Sequence, residues 1–155
     1  MKKIVWMLVL SLGFLMAEDF PAKVVYDLTT KSLATFERKI LKSVVANQAY
    51  YNSKLREYDV TVVIHGGAYR FFLKDPQHSA YKKDHKLLKE HESLAKRIKS
   101  MVDTYDVEFL ICEAGMKKRH IKATDIYEFV DIVPNAMIGL IDRQNEGYAY
   151  LPVGD

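Results

Sequence analysis

Cys112 is the only cysteine among 155 residues. It stands between an apolar run, Phe109-Leu110-Ile111, and a cationic one, Lys117-Lys118-Arg119-His120. A thiol attacks other groups only as its thiolate, and neighbouring positive charge favours that form. Lys117, Lys118, Arg119 and His120 therefore bias Cys112 toward ionisation, and the carboxylate of Glu113 opposes them. With no second cysteine in the chain, a sulfur species formed on Cys112 has no internal partner with which to collapse into a disulfide. Cys112 is thus an inert packing residue, an intermolecular partner or a reactive group. His65 is the second candidate, because it closes an apolar run and an imidazole there can bind an anion, donate a proton or fix a loop. The remaining histidines offer less. His78, His85 and His91 lack the i, i+4 spacing that puts two imidazoles on one helical face for zinc, and His91 falls on an apolar stripe as a satisfied residue at the core boundary. Gly66-Gly67 has the spacing of neither a dinucleotide nor a P-loop fingerprint, and no serine sits in a G-x-S-x-G context. No metal or cofactor site is expected.

Alternating strands and helices must position these groups. Apolar or β-branched runs over residues 22–27, 60–65, 107–112, 130–133 and 148–151 read as strands. Leu33, Phe36, Ile40, Leu41, Val44, Val45 and Gln48 share one helical face. Leu87, Leu88, Leu94, Ala95, Ile98, Met101 and Val102 share another, with charged residues off the stripe. A short helical piece over 124–129 and a helix over 137–144, capped by Asn135 and ended by Gly147, complete the set. Residues 68–85 read as an irregular loop with room for one short helical turn, whose aromatics, Tyr69, Phe71, Phe72 and Tyr81, cover either the cysteine, a subunit contact or a satellite core. The alternation predicts a single-domain α/β layered fold, a mostly parallel sheet of about five strands with helices on both faces. Such sheets bind ligands beyond the carboxyl ends of their strands, where Cys112 and His65 are both expected, with a helix opening after the cysteine whose dipole favours a thiolate.

Residues 1–17 have the anatomy of a signal peptide: Lys2-Lys3, an apolar run from Ile4 to Met16, and the small Ala17 before Glu18-Asp19. The run is shorter than the ~20 apolar residues that span a bilayer. Cleavage after Ala17 leaves one domain, residues 18–155, in the periplasm or outside the cell, without tryptophan because Trp6 is removed. It also removes two of the three surplus positive charges of the chain. A nearly neutral domain lacks the basic face that nucleic acid or an anionic membrane requires.

The stretch from Phe109 to Ile121, with Cys112 followed by Ala114, Arg119 and Ile121, resembles the V-C-x-x-A-L-x-x-R-G-I segment of the DsrE/DsrF-like sulfur-relay family. The likeness extends to Val63-Ile64-His65-Gly66, to Asp131-Ile132-Val133-Pro134-Asn135-Ala136 and to Gly147-Tyr148-Ala149-Tyr150-Leu151, and the ending is most similar to small exported single-domain members. The resemblance implies a DsrE-like, Rossmann- or flavodoxin-like fold and a persulfide carried on Cys112. It implies passage of sulfur between donor and acceptor proteins without turnover chemistry of the chain's own, and assembly into homo-oligomers. His120 departs from the family pattern, which has glycine there. His65, Lys117, Arg119 and His120 are the residues expected to bind beside the cysteine. The second functional class is a non-enzymatic small-molecule-binding or assembly subunit in which Cys112 is buried.

Overall fold

The computed structural model describes residues 20–155; the signal-peptide expectation falls outside the described residues. Five strands form one sheet: β1 (Ala22–Leu28), β2 (Tyr58–Ile64), β3 (Glu108–Cys112), β4 (Asp131–Val133) and β5 (Ala149–Val153). Their order is β4-β3-β2-β1-β5, and every neighbouring pair is parallel. The three inner strands are close to continuously apolar because both of their faces are covered, as parallel sheets require. In β5, Pro152 is tolerated because an edge strand has no outer neighbour awaiting its N–H.

The pleat sorts the side chains. Val24, Tyr26, Leu28, Val62, Ile64, Phe109 and Ile111 share one face by register, and Val25, Asp27, Thr61, Val63, Leu110 and Cys112 share the other. The first face is covered by the helical segment after β1 and by α3 (His85–Tyr105). That segment comprises α1 (Leu33–Phe36), a wide π-type turn (Glu37–Lys42) and α2 (Ser43–Asn52). One continuous amphipathic helix is the sequence expectation. The wider turn instead lets two adjacent residues, Ile40 and Leu41, both face the core. The second face receives α5 (Ala136–Asn145), whose Gly139 approaches so closely that an added Cβ would lie 3.4 Å from Val63 and 3.6 Å from Leu110.

Of the roles open to the aromatics of residues 68–85, burial is the one seen for three: Tyr69, Phe71 and Phe72, on and just after the 3₁₀ turn Ala68–Phe71, are fully buried, Phe71 stacks on Phe36 at 4.8 Å, and Phe72 lies 5.2 Å from Phe109. One expectation needs correction. Residues 124–129 do not form a helix beyond the 3₁₀ turn Ala123–Asp125. Ile126 bridges antiparallel to Leu73, and the Tyr127 N–H is donated to the carbonyl of Phe72, so the groups needed to propagate a helix are already spent on the neighbouring segment. His91 on α3 lies within hydrogen-bond distance of the Leu73 carbonyl (2.9 Å) and the Tyr127 hydroxyl (3.1 Å), a satisfied histidine at the core boundary.

Candidate functional site

Cys112 is the last residue of β3 and caps the short helix α4 (Glu113–Lys118). Its position at the carboxyl edge follows from a sharp change in sequence, from the apolar Phe109-Leu110-Ile111 to a polar segment able to turn away from the sheet. The residue is 7% exposed, and the backbone around it is bracketed on two sides. The hydroxyl of the buried Tyr69 donates to the Cys112 carbonyl at 2.9 Å, and the Ala114 N–H donates to the carbonyl of Pro134 at 3.2 Å. Burial, reinforced by the neighbouring Cys112 side chain, pushes the Tyr69 phenol well above its ordinary value, so it remains a donor. Gly115 makes this arrangement possible, since a Cβ there would fall 1.9 Å from the Tyr69 hydroxyl oxygen.

His65 stands at the same edge. The last row shared by β2 and β3 pairs Ile64 with Ile111, so His65 and Cys112 occupy the next position on adjacent strands. The His65 N–H continues the β1 ladder by donating to the carbonyl of Leu28. Its imidazole Nε2 meets the carboxylate of Asp27 on β1 at 2.5 Å, and the other carboxylate oxygen accepts from the Tyr150 hydroxyl of β5 at 2.6 Å. The hydrogen bond to Asp27, with smaller effects of burial and of the carboxylate's charge, raises the Tyr150 phenol. Tyr150, Asp27, His65 and Cys112 therefore run across the carboxyl edge on four strands consecutive in the sheet. Asp27 and Tyr150 are missed in the sequence because nothing local marks them. They become visible only when register sets β1 beside β2 and β5.

The cationic group divides. Lys117 is exposed and paired with Glu113 at 2.9 Å, so each cancels the other's influence. Arg119 lies over the Tyr69 ring at 4.6 Å and donates to the carbonyls of Gly66 (2.7 Å) and Gly115 (3.2 Å), tying the turn after β2 to α4. His120 has φ +54°, the left-handed conformation that glycine adopts at no steric cost. With Arg119 it lines a cavity of about 520 Å³ shared with Lys74, Asp75, His78 and Tyr81. His78 is engaged by Asp75 at 2.6 Å. A larger cavity, about 710 Å³, opens at the opposite, amino edge around Asp59, Glu108, Arg143 and Tyr148. There the Arg143 guanidinium is neutralised by Glu108 and Glu146, and Thr61 donates to Glu108 at 2.7 Å. These are the partners of a structural ion network, remote from the cysteine.

The chain spans about 64% of the length of the curated relative it matches, an uncharacterized protein of Aquifex aeolicus (strain VF5). The two are 29% identical over 159 aligned positions covering 98% of this chain. Among solved structures, the protein of unknown function MTH1491 from Methanobacterium thermoautotrophicum shares the fold with a TM-score of 0.54 at 21% identity, covering 84% of this chain and 98% of that one. The model of the DsrE/DsrF-like family matches residues 23–153, from the first strand through the last. With Cys112 at the carboxyl end of β3 and the whole five-stranded sheet inside the matched region, the chain belongs to the DsrE/DsrF-like family.

Proposed function

We propose that the protein carries sulfane sulfur as a persulfide on Cys112 and passes it between partner proteins, acting outside the cytoplasm after removal of residues 1–17. The observation that carries this reading is the placement of the chain's only cysteine at the carboxyl end of an inner strand, beside His65, in a member of this family. The chemistry suits a lone thiol, which can accept and release a sulfur atom without being trapped by an internal partner. A persulfide sulfur sits about 2 Å beyond Sγ. The loaded form thus reaches further from the Cys112 backbone than the thiol itself. Mass spectrometry after incubation with glutathione persulfide tests the proposal. Gain of one sulfur atom on Cys112, lost in Cys112→Ser while the thermal midpoint is unmoved, supports it. A Cys112 that neither loads sulfur nor alkylates until the protein is denatured overturns it.

The 7% exposure of Cys112 favours a second reading, a binding or assembly subunit in which the thiol is packing. Apolar side chains also stand out on α5, where Met137, Ile138 and Ile141 are 70, 40 and 49% exposed. Such a surface suits contact with further copies of the chain under either reading. On the second reading, Cys112→Ser buries a hydroxyl in place of the thiol and lowers stability by about 1–3 kcal/mol.

A further inference from the structure

The geometry points to Asp27 and His65 as the proton-accepting pair for Cys112, with His65 taking the thiol proton, Asp27 holding the imidazole, and Tyr150 holding Asp27. This inference rests on the carrier reading and adds to it how the carrier thiol is activated.

The sheet itself sets Tyr150, Asp27 and His65 in contact and places Cys112 at the neighbouring strand end. Asp27 shares a row and a face with Val63, and Cys112 shares its face with Leu110 two residues earlier, so Asp27 and Cys112 emerge on the same side of the sheet. His65, on the strand between them, reaches that side through its contact with Asp27. With Nε2 donating to the carboxylate, the neutral ring carries its proton on Nε2 and keeps the Nδ1 lone pair for a second proton. Among the described residues no hydrogen bond occupies Nδ1. The Asp27 side chain is only 15% exposed, and its second oxygen is fixed by Tyr150, so the carboxylate is oriented as well as charged. The carboxylate in direct contact with Nε2 thereby fixes both the tautomer and the orientation of the ring.

The groups facing this corner are few. Tyr69 from the 3₁₀ turn donates to the Cys112 carbonyl and stands beside its side chain as a protonated phenol, Arg119 is committed to the carbonyls of Gly66 and Gly115, and Glu113 to Lys117 on α4. None of them offers a base to the thiol. Of the cationic residues expected to favour the thiolate, Lys117 is paired with Glu113 and Arg119 is engaged by two backbone carbonyls.

The step balances with a sulfane donor, a persulfide R–S–S⁻. Cys112 gives its proton to His65 Nδ1, and the thiolate pair forms a bond to the outer sulfur of the donor. The S–S bond of the donor breaks, its electron pair leaves on R–S⁻, and the imidazolium returns the proton to that leaving thiolate. Cys112 ends as a persulfide, with no external oxidant or reductant.

The test reads two pH profiles in the full chain, sulfur loading from glutathione persulfide and alkylation of Cys112 by iodoacetamide, for wild type, His65→Gln and Asp27→Asn. If the pair accepts the proton, His65→Gln slows loading near neutral pH tenfold or more, in line with the roughly 10²–10⁴ that general bases contribute. Both profiles then move to higher pH. Asp27→Asn moves them in the same direction by a smaller amount, and it serves as the decisive variant should His65→Gln fail to fold. Wild-type profiles in both variants, with folding intact, overturn the inference. Alkylation needs no sulfur donor, so it judges the pair even where loading fails. A wild-type chain that alkylates with His65-dependent pH behaviour yet never loads sulfur sinks the carrier reading and leaves the proton-accepting pair standing.

Discussion

At the scale of single residues, the tightest constraint is the contact of Gly115 with Tyr69. A methyl group on residue 115 would meet the phenol oxygen at 1.9 Å and Cζ at 2.7 Å, so Tyr69 must move and release the Cys112 carbonyl. Gly115→Ala is therefore expected to cost about 1–3 kcal/mol, as overpacking of a filled interior does, and to speed alkylation of Cys112 as its surroundings loosen. Tyr69→Phe removes the nearest atom but leaves Cζ, so Gly115→Ala combined with Tyr69→Phe should recover only part of the loss. Chemical denaturation of the two single variants and the double variant checks this, and an unmoved midpoint in Gly115→Ala would show that Tyr69 yields freely. Nothing in the sequence announces this pair, since Tyr69 lies in a stretch that reads as loop and Gly115 in a helix start. By contrast Cys112 is legible, because its chemistry and its strand-end position are both written locally. His120 is half legible: its place at the end of a cationic run is visible in the chain, and the left-handed backbone it adopts is visible only in the fold.

At the scale of elements, sequence periodicity and structure agree best where one face of an element is uniformly buried. α3 presents Leu87, Leu94, Ile98 and Met101 to the core, and β2 is buried almost throughout. They disagree where backbone groups find partners outside their own element, as Ile126 and Tyr127 do with Leu73 and Phe72. α5 shows a third case. Asn135 caps it by accepting from the Ile138 N–H at 3.1 Å, and Ala136 and Gly139 face the sheet. The stripe of Met137, Ile138 and Ile141 turned outward is also apolar, which periodicity alone would assign to a buried position. If that stripe is a contact between copies, Ile141→Glu should leave the fold intact and lower the oligomeric state seen by sedimentation, with the monomer favoured at low concentration. A wild-type protein that sediments as a monomer across the same concentrations would rule the contact out.

At the scale of the whole molecule, raised phenols set the alkaline limit of stability, Tyr26, Tyr69 and Tyr127 foremost, with Tyr148 and Tyr150 beside them. Tyr26 is raised by burial and by the neighbouring Tyr58 hydroxyl, Tyr69 by burial and the Cys112 side chain, and Tyr127 is pushed up by burial to about 12. In the unfolded chain each ionises near 10. Above that pH the unfolded state sheds protons that the native state retains, so stability is complete below about pH 10 and falls as pH rises toward 12. Unfolding midpoints followed from pH 8 to 11.5 should drop steeply, and Tyr127→Phe should flatten the fall in proportion to the one phenol removed. A slope unchanged in Tyr127→Phe would show that this phenol ionises as readily in the fold as outside it.

The strand order carries a kinetic consequence. β5 pairs with β1, so residues 149–153 must find residues 22–28 across nearly the whole sequence, and closing so long a loop is slow. Until they meet, β1 has an open edge, available to any other extended chain. The Tyr150 contact with Asp27 belongs to that final closure. The proton-accepting corner is thus completed by the same docking that seals the sheet, and a chain caught before it would be both adhesive and chemically unready.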